Sequence, residues 1–165
     1  MQYSEGKYHM GEVKLRNAEK KDAPAIADVW VRSIRNLCAP YYTDAQIASW
    51  TGSKTPEKIL ELITESPFFM VAEMDGRVVG FASCSDFREI QAALYVAPES
   101  TGKGTGRQLL TAYEEAAREH GLKTLHIHAT VNGAGFYEKC GYERIGENAL
   151  ADGRRIVHVK KKLQE

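Results

Sequence analysis

The segment Leu94 to Leu110, LYVAPESTGKGTGRQLL, carries the densest set of residues able to hold a reacting group. Gly102, Gly104 and Gly106 let the backbone turn without Cβ hindrance, so successive N–H groups converge where a helix is expected from Gly104 to His120. Unpaired N–H groups and the helix dipole both favour negative charge there, and Lys103 and Arg107 add cations where a phosphate would sit. Two familiar phosphate loops fail on spacing. The Walker pattern Gly-x-x-x-x-Gly-Lys-Ser/Thr is absent, and the dinucleotide pattern Gly-x-Gly-x-x-Gly meets Arg107 where its third glycine belongs. Taken alone, the segment also reads as a plain glycine-rich turn.

Further along lies ATVNGAGFYEKCGYERIG. Together the two segments resemble the GNAT superfamily of acyl-CoA N-acyltransferases. That family's signature is a strand ending in Val-x-Pro, a loop Gln/Arg-x-x-Gly-x-Gly/Ala and a helix with Leu-Leu. TGKGTGRQLL reproduces all but its first position, where Thr101 stands for Gln or Arg. The second segment resembles the family's Asn-x-x-Ala-x-x-Phe-Tyr-x-x-x-Gly-Phe, contracted by one residue and with Tyr142 for the last Phe. Both motifs occur in family order, and the likeness runs from Val13 to the C-terminal VHVKKKL.

The resemblance implies a sheet that splays apart after a bulge and an acetyl-CoA co-substrate lying in the opening. The pantetheine arm would pair with the strand edge Leu94, Tyr95 and Val96, and Asn132 would hydrogen-bond its amides beside Phe136. The pyrophosphate would rest on the loop Thr101, Gly102, Lys103, Gly104, Thr105, Gly106 and Arg107, held by backbone donors. Tyr137 matches the family tyrosine near the thioester sulfur. A phenol with an ordinary pKa near 10 can give the leaving thiolate its proton, so Tyr137 is the implied general acid. Without the surrounding motif it would read as a core aromatic beside Phe136. Glu89 precedes the Leu94 strand near where some members carry a basic carboxylate, one residue out of phase, and stands as a tentative base against a surface role. Tyr41, Tyr42 and Trp50 fall where members shape the acceptor site, and core packing explains Trp50 equally well.

The implied activity is transfer of the acetyl group of acetyl-CoA to a primary amine by direct attack in a ternary complex. Two alternatives stand beside it: a non-catalytic acyl-CoA-binding sensor, left open by Thr101, and transfer of a longer acyl group. His126 and His128, two apart on a strand, share one face. They could carry protons or ligate a metal, but with no Cys or acidic partner at ligand spacing they read as paired surface or hydrogen-bonding histidines, and no metal is expected. Cys140 reads as a buried thiol.

The elements that must position these residues follow from periodicity. Val13 and Leu15 alternate with charged neighbours as in a half-buried strand, and Ile26, Val29, Trp30, Ile34 and Leu37 form a helical stripe behind Pro24. Thr43 or Asp44 can cap a helix carrying Ile47 and Trp50, and Thr55 before Pro56 can cap another. FFMVAEM and RVVGFASCS around Asp75-Gly76 read as a β-hairpin, followed by the strand IQAALYVA. LHIHA is a strand, GAGFYEKC a short helix, Tyr142 to Gly146 extended, and Arg155 to Val159 a final strand. This order predicts a single α+β domain over residues 12–165, behind a tail 1–11. The same order gives a largely antiparallel sheet with one parallel strand pair across the Gly104 helix, and the resemblance makes it a GNAT-like central sheet of six to seven strands flanked by four or five helices.

The 22 Lys and Arg balance 22 Asp and Glu, which excludes a strong field for nucleic acid or an anionic membrane. No apolar stretch is long enough to span a bilayer, and three widely spaced cysteines fit a reducing, cytoplasmic setting. Exposed sheet edges leave room for a homodimer.

Overall fold

A computed structural model describes residues 12–88 and 92–164. The tail 1–11 and Glu89 lie outside the described residues. The chain runs β1 (Lys14–Asn17), α1 (Ala23–Ser33), α2 (Asp44–Gly52), α3 (Pro56–Glu65), β2 (Phe68–Met74), β3 (Arg77–Cys84), β4 (Ala92–Val96), α4 (Thr105–Glu119), β5 (Thr124–Thr130), α5 (Ala134–Lys139), β6 (Glu143–Ala149) and β7 (Arg155–Lys162). Local chemistry sets the boundaries. The Thr43 hydroxyl accepts the Gln46 N–H at 3.1 Å while the Gln46 side chain accepts the Thr43 N–H at 3.0 Å, closing a capping box on α2. Thr55 accepts the Lys58 N–H at 3.2 Å and Pro56 opens α3; a cap of this kind stabilises a helix by about 1 kcal/mol. Asp75 and Gly76 both take positive φ, 51° and 75°, as the tight β2–β3 turn requires.

The strands form two antiparallel sheets, β1-β2-β3-β4 and β5-β7-β6. This corrects one expectation: β4 and β5, flanking α4 as a parallel pair would, are not hydrogen-bonded to each other. The β3–β4 register runs unbroken from Cys84↔Ala92 to Gly80↔Val96, and the register shifts lie instead between β2 and β3, at Ala72/Glu73, and between β6 and β7, at Arg144/Gly146.

Both faces of the first sheet are covered, which is why FFMVAEM is almost continuously apolar. Phe69, Val71 and Phe81 pack with Ile26, Val29 and Trp30 of α1, Ile34 just past it and Ile59 of α3. Phe68, Ala72 and Ala82 meet Leu109, Leu110, Tyr113 and Ala117 of α4. Leu125, Ile127 and Ala129 of β5 and Val157 and Val159 of β7 belong to the same core cluster, so the apolar side of α4 and the second sheet share one core. At Gly80 a Cβ would stand 3.1 Å from the Tyr95 carbonyl and 3.2 Å from Leu109, so glycine permits α4 to approach the β3–β4 pair. β5 alternates: Leu125, Ile127 and Ala129 are buried, and the other face carries His126, His128 and Thr130. No helix among the described residues is long and apolar enough to cross a membrane.

Candidate active site

The parted edges of β4 and β5 bound a cavity of about 740 Å³. Because among the described residues β4 pairs only with β3 and β5 only with β7, each strand turns an unpaired edge towards the gap. The end of β4 is fixed from behind: the Ser33 hydroxyl of α1 donates to the Val96 carbonyl, and the Ala97 N–H donates to Val79 at 2.8 Å. Past α1 the chain widens into a π-type turn, Ile34–Cys38, and Leu37, Cys38 and Tyr41 form the cavity's helical wall.

Beyond β4, Pro98–Ser100 makes one tight turn, and the Thr101 hydroxyl is spent locally, donating to the Pro98 carbonyl at 2.9 Å. Gly102 and Gly104 then take φ of 75° and 85°, the left-handed region. Gly104 is the N-cap of α4 and has no side chain to cap it, so the N–H groups of the first helical turn stay open. At Gly106 a Cβ would come within 3.3 Å of the Phe136 ring, so glycine lets α4 and α5 close around the cavity.

The larger cavity brings together Leu94, Tyr95, Val96, Thr101, Gly102, Gly104, Gly106, Arg107, Asn132, Phe136 and Tyr137. Two loop residues stand apart from this lining. Lys103 is exposed, and Thr105 is 1% exposed, turned inwards so that its methyl faces Gly80. Asn132 offers a direct test of fit for a pantetheine arm: its Oδ1 is buried with no hydrogen-bond partner among the described residues. An amide N–H of such an arm would satisfy it, and leaving it unpaired costs about 1–3 kcal/mol. The unpaired strand edges, the open helix start and Arg107 fit the same ligand.

Tyr137, on α5, is buried beside Phe136 and Tyr142 and also lines the cavity. Its hydroxyl bonds to none of the described residues. Burial, first, and then the neighbouring Tyr113 and Cys140 push its pKa above the ordinary phenol value, so it stays protonated. Glu89 lies outside the described residues, and no described carboxylate lines the cavity.

A second, smaller cavity of about 170 Å³ adjoins the first and shares Tyr95, His128 and Thr130 with it; Tyr42, Trp50, Leu150, Arg154 and Ile156 complete it. The candidate acceptor residues therefore divide. Tyr42 and Trp50 meet edge to face in the small cavity, whereas Tyr41, 56% exposed, lines the large one. Tyr42 offers only its ring, because its hydroxyl donates to the Arg155 carbonyl at 2.7 Å and accepts the Val131 N–H at 3.0 Å. The Arg154 guanidinium lies 4.5 Å over the Trp50 ring, and its Nε donates to Asp152 at 2.7 Å. Its terminal nitrogens bond to none of the described residues. Nearby, Lys54 sits over Trp30; burial first, then Arg154 and Lys58, hold its ammonium pKa below the ordinary value, as expected where cations outnumber anions.

Sequence reasoning missed His128, Thr130, Leu150, Arg154 and Ile156 as cavity residues. His128 and Thr130 share the outer face of β5 by period-two alternation, which was legible, but nothing local says that this face turns into a cavity. His126 is the hydrogen-bonding histidine, its Nδ1 lying 3.0 Å from His158 Nε2. Cys140 is half-buried and carries no sign of a nucleophile's surroundings. Among the described residues no group of three or more His, Cys, Asp or Glu side chains is placed to hold a metal ion.

Comparison with known proteins follows the same lines. The chain is 27% identical over 141 residues to an uncharacterized N-acetyltransferase of Methanocaldococcus jannaschii, a match covering 78% of this chain and spanning 60% of the relative's length. It is 26% identical over 148 residues to the L-methionine sulfoximine/L-methionine sulfone acetyltransferase of Pseudomonas aeruginosa, covering 81% of each. Among solved structures, a GCN5-related N-acetyltransferase of Rhodopseudomonas palustris superposes with a TM-score of 0.85 at 28% identity, covering 96% of this chain and all of that one. PaiA N-acetyltransferase of Thermoplasma acidophilum, solved in complex with coenzyme A, shares the fold with a TM-score of 0.76 at 23% identity, covering 92% of this chain and 99% of that one. The family model of the acetyltransferase (GNAT) domain matches residues 38–163, well over half of the chain, and to that family this chain belongs.

Proposed function

We propose that this protein transfers the acetyl group of acetyl-CoA to the amine of an acceptor that also carries a carboxylate, a free amino acid or a close analogue, by direct attack in a ternary complex. The observation that carries the reading is the meeting of two cavities, one long and edged by open strand backbone, the other small, aromatic and cationic, along Tyr95, His128 and Thr130. A thioester arm laid in the first and an amine seated in the second meet along that line. Fixing the two reactants in this way supplies much of the rate, and no covalent enzyme intermediate is required.

In this reading the first turn of α4 and Arg107 hold the pyrophosphate, the β4 edge and Asn132 hold the pantetheine amides, and a backbone N–H near Val96 polarises the thioester carbonyl. Tyr137 gives its proton to the leaving sulfur, and its raised pKa keeps that proton in place until the thiolate forms. Arg154 reads the acceptor's carboxylate with its free terminal nitrogens, while Asp152 and the Trp50 face hold the guanidinium in place. The absence of any described carboxylate from both cavities opposes a polyamine or other polycation. The Pseudomonas relative supports the same class, since both of its named substrates are derivatives of an amino acid.

The test is thiol release from acetyl-CoA against free L-amino acids, L-methionine sulfone, polyamines, aminoglycosides and peptide N-termini. Turnover is expected with the free amino acids or the sulfone and not with the polycations, and it should collapse in Tyr137→Phe. Tight acetyl-CoA binding by calorimetry with no turnover on any acceptor would instead favour a sensor.

A further inference from the structure

We infer that His128 is the catalytic base that takes the proton from the attacking amine. The inference rests on the acetyl-transfer reading and names a residue that reading leaves open. His128 belongs to the few residues shared by both cavities, so its ring borders the place where amine and thioester must meet. Neither ring nitrogen bonds to a described residue; the ring stands edge-on to His158 with centroids 5.0 Å apart. His126 is committed to His158 and lines neither cavity.

The other titratable groups around the junction fail as proton acceptors. Arg107, Lys139 and Arg154 are cations, and the buried Cys38 thiol is pushed up by desolvation, as are the phenols of Tyr42 and Tyr95. No described carboxylate lines either cavity. Groups facing His128 come from each neighbouring element: His126 on its own strand, His158 and Lys160 on β7, Glu143 on β6 paired with Lys160 at 4.0 Å, Arg154 from the β6–β7 turn, Tyr95 on β4, Tyr42 ahead of α2 and Tyr137 on α5. Partial desolvation lowers the His128 pKa from the ordinary imidazole value, which leaves the ring neutral and able to accept at neutral pH.

The step balances. As the amine nitrogen bonds to the thioester carbon, its N–H becomes acidic and the proton passes to the open nitrogen of His128. The C–S bond breaks with its electron pair on sulfur, which takes the Tyr137 proton. The imidazolium then loses its proton to solvent and the phenolate regains one, leaving an amide and a free thiol.

The experiment measures kcat against pH for the wild type, His128→Gln, His128→Ala and the control His126→Gln, with the best free amino acid of the panel at saturation and acetyl-CoA affinity followed by calorimetry. A base here should lower kcat about 100-fold in His128→Gln and abolish the acid limb of the wild-type profile, whose midpoint lies below about 6.5. Acetyl-CoA affinity should be unchanged, His128→Ala should regain rate with added imidazole, and His126→Gln should keep both rate and limb. Turnover in His128→Gln within a few-fold of wild type, with the limb intact, would overturn the assignment of His128 alone. A wild type that turns over no amine would overturn it together with the acetyl-transfer reading.

Discussion

The two walls of the junction are made of different material. The wall proposed for the donor is largely main chain from one continuous stretch, β4, the glycine loop and the start of α4, with Asn132 and Phe136 added and Leu37, Cys38 and Tyr41 on its helical side. The wall proposed for the acceptor is side chain from five separate places: Tyr42, Trp50, Tyr95, the His128–Thr130 face and the Leu150–Ile156 turn. A wall of backbone donors recognises what every acyl-CoA has in common, and its side chains can drift as long as the glycine conformations survive. A wall of gathered side chains can be re-specified one residue at a time. Substitutions on the two walls should therefore separate cleanly, donor affinity on one side and acceptor selection on the other.

The largest expected effect belongs to neither wall but to Tyr137, the proposed proton donor between them. Tyr137→Phe keeps the ring in its packing against Phe136 and Tyr142 and removes only the hydroxyl. Steady-state kinetics should give kcat lowered about 100-fold or more with acetyl-CoA affinity unchanged; comparable loss of both would mean the phenol positions the thioester instead. Next comes Arg154→Met, which keeps an apolar stem over Trp50 and deletes the charge. A charge-assisted hydrogen bond contributes about 1.5–3 kcal/mol, so kcat/KM for a carboxylate-bearing acceptor should fall roughly 10- to 100-fold. Its expected signature is a rise in acceptor KM alone, and a matching loss of acetyl-CoA affinity would erase the division between the walls.

This division also explains what was legible in the sequence. The glycine loop and the Phe136-Tyr137 segment could be read because each is a contiguous pattern whose spacing states its own geometry. Caps at Thr43 and Thr55 and the Asp75-Gly76 turn were readable for the same local reason. The parting of β4 from β5 was not, since a hydrogen-bonded parallel pair and a parted pair have the same strand–helix–strand order. Arg154 was invisible because its meaning depends on Trp50, about a hundred positions earlier, arriving beneath it. At Thr105 the motif says nothing of the side chain, which faces the core, and the expectation there rests on its backbone N–H at the open start of α4.

On the donor wall Gly104→Ala should be the more damaging change. A residue with a Cβ at φ 85° costs about 1–2 kcal/mol, and the loop can relieve that strain by reshaping the helix start. Calorimetry should then show acetyl-CoA binding weakened about 5- to 30-fold, with acceptor preference unaltered.

Thr101→Val should do least, and for that reason it sharpens the comparison most. This is the position where the loop departs from its family pattern, and if side chains carried donor binding, altering it would matter. The hydroxyl, however, is already donated to the Pro98 carbonyl, and the residue is exposed. Valine keeps the branched shape, loses one neutral hydrogen bond of about 1 kcal/mol and leaves the N–H groups of the α4 start where they are. Acetyl-CoA affinity should stay within about twofold of wild type, with a small drop in thermal stability as the main trace. A tenfold loss of affinity would place a side-chain contact in a wall that otherwise works through its backbone.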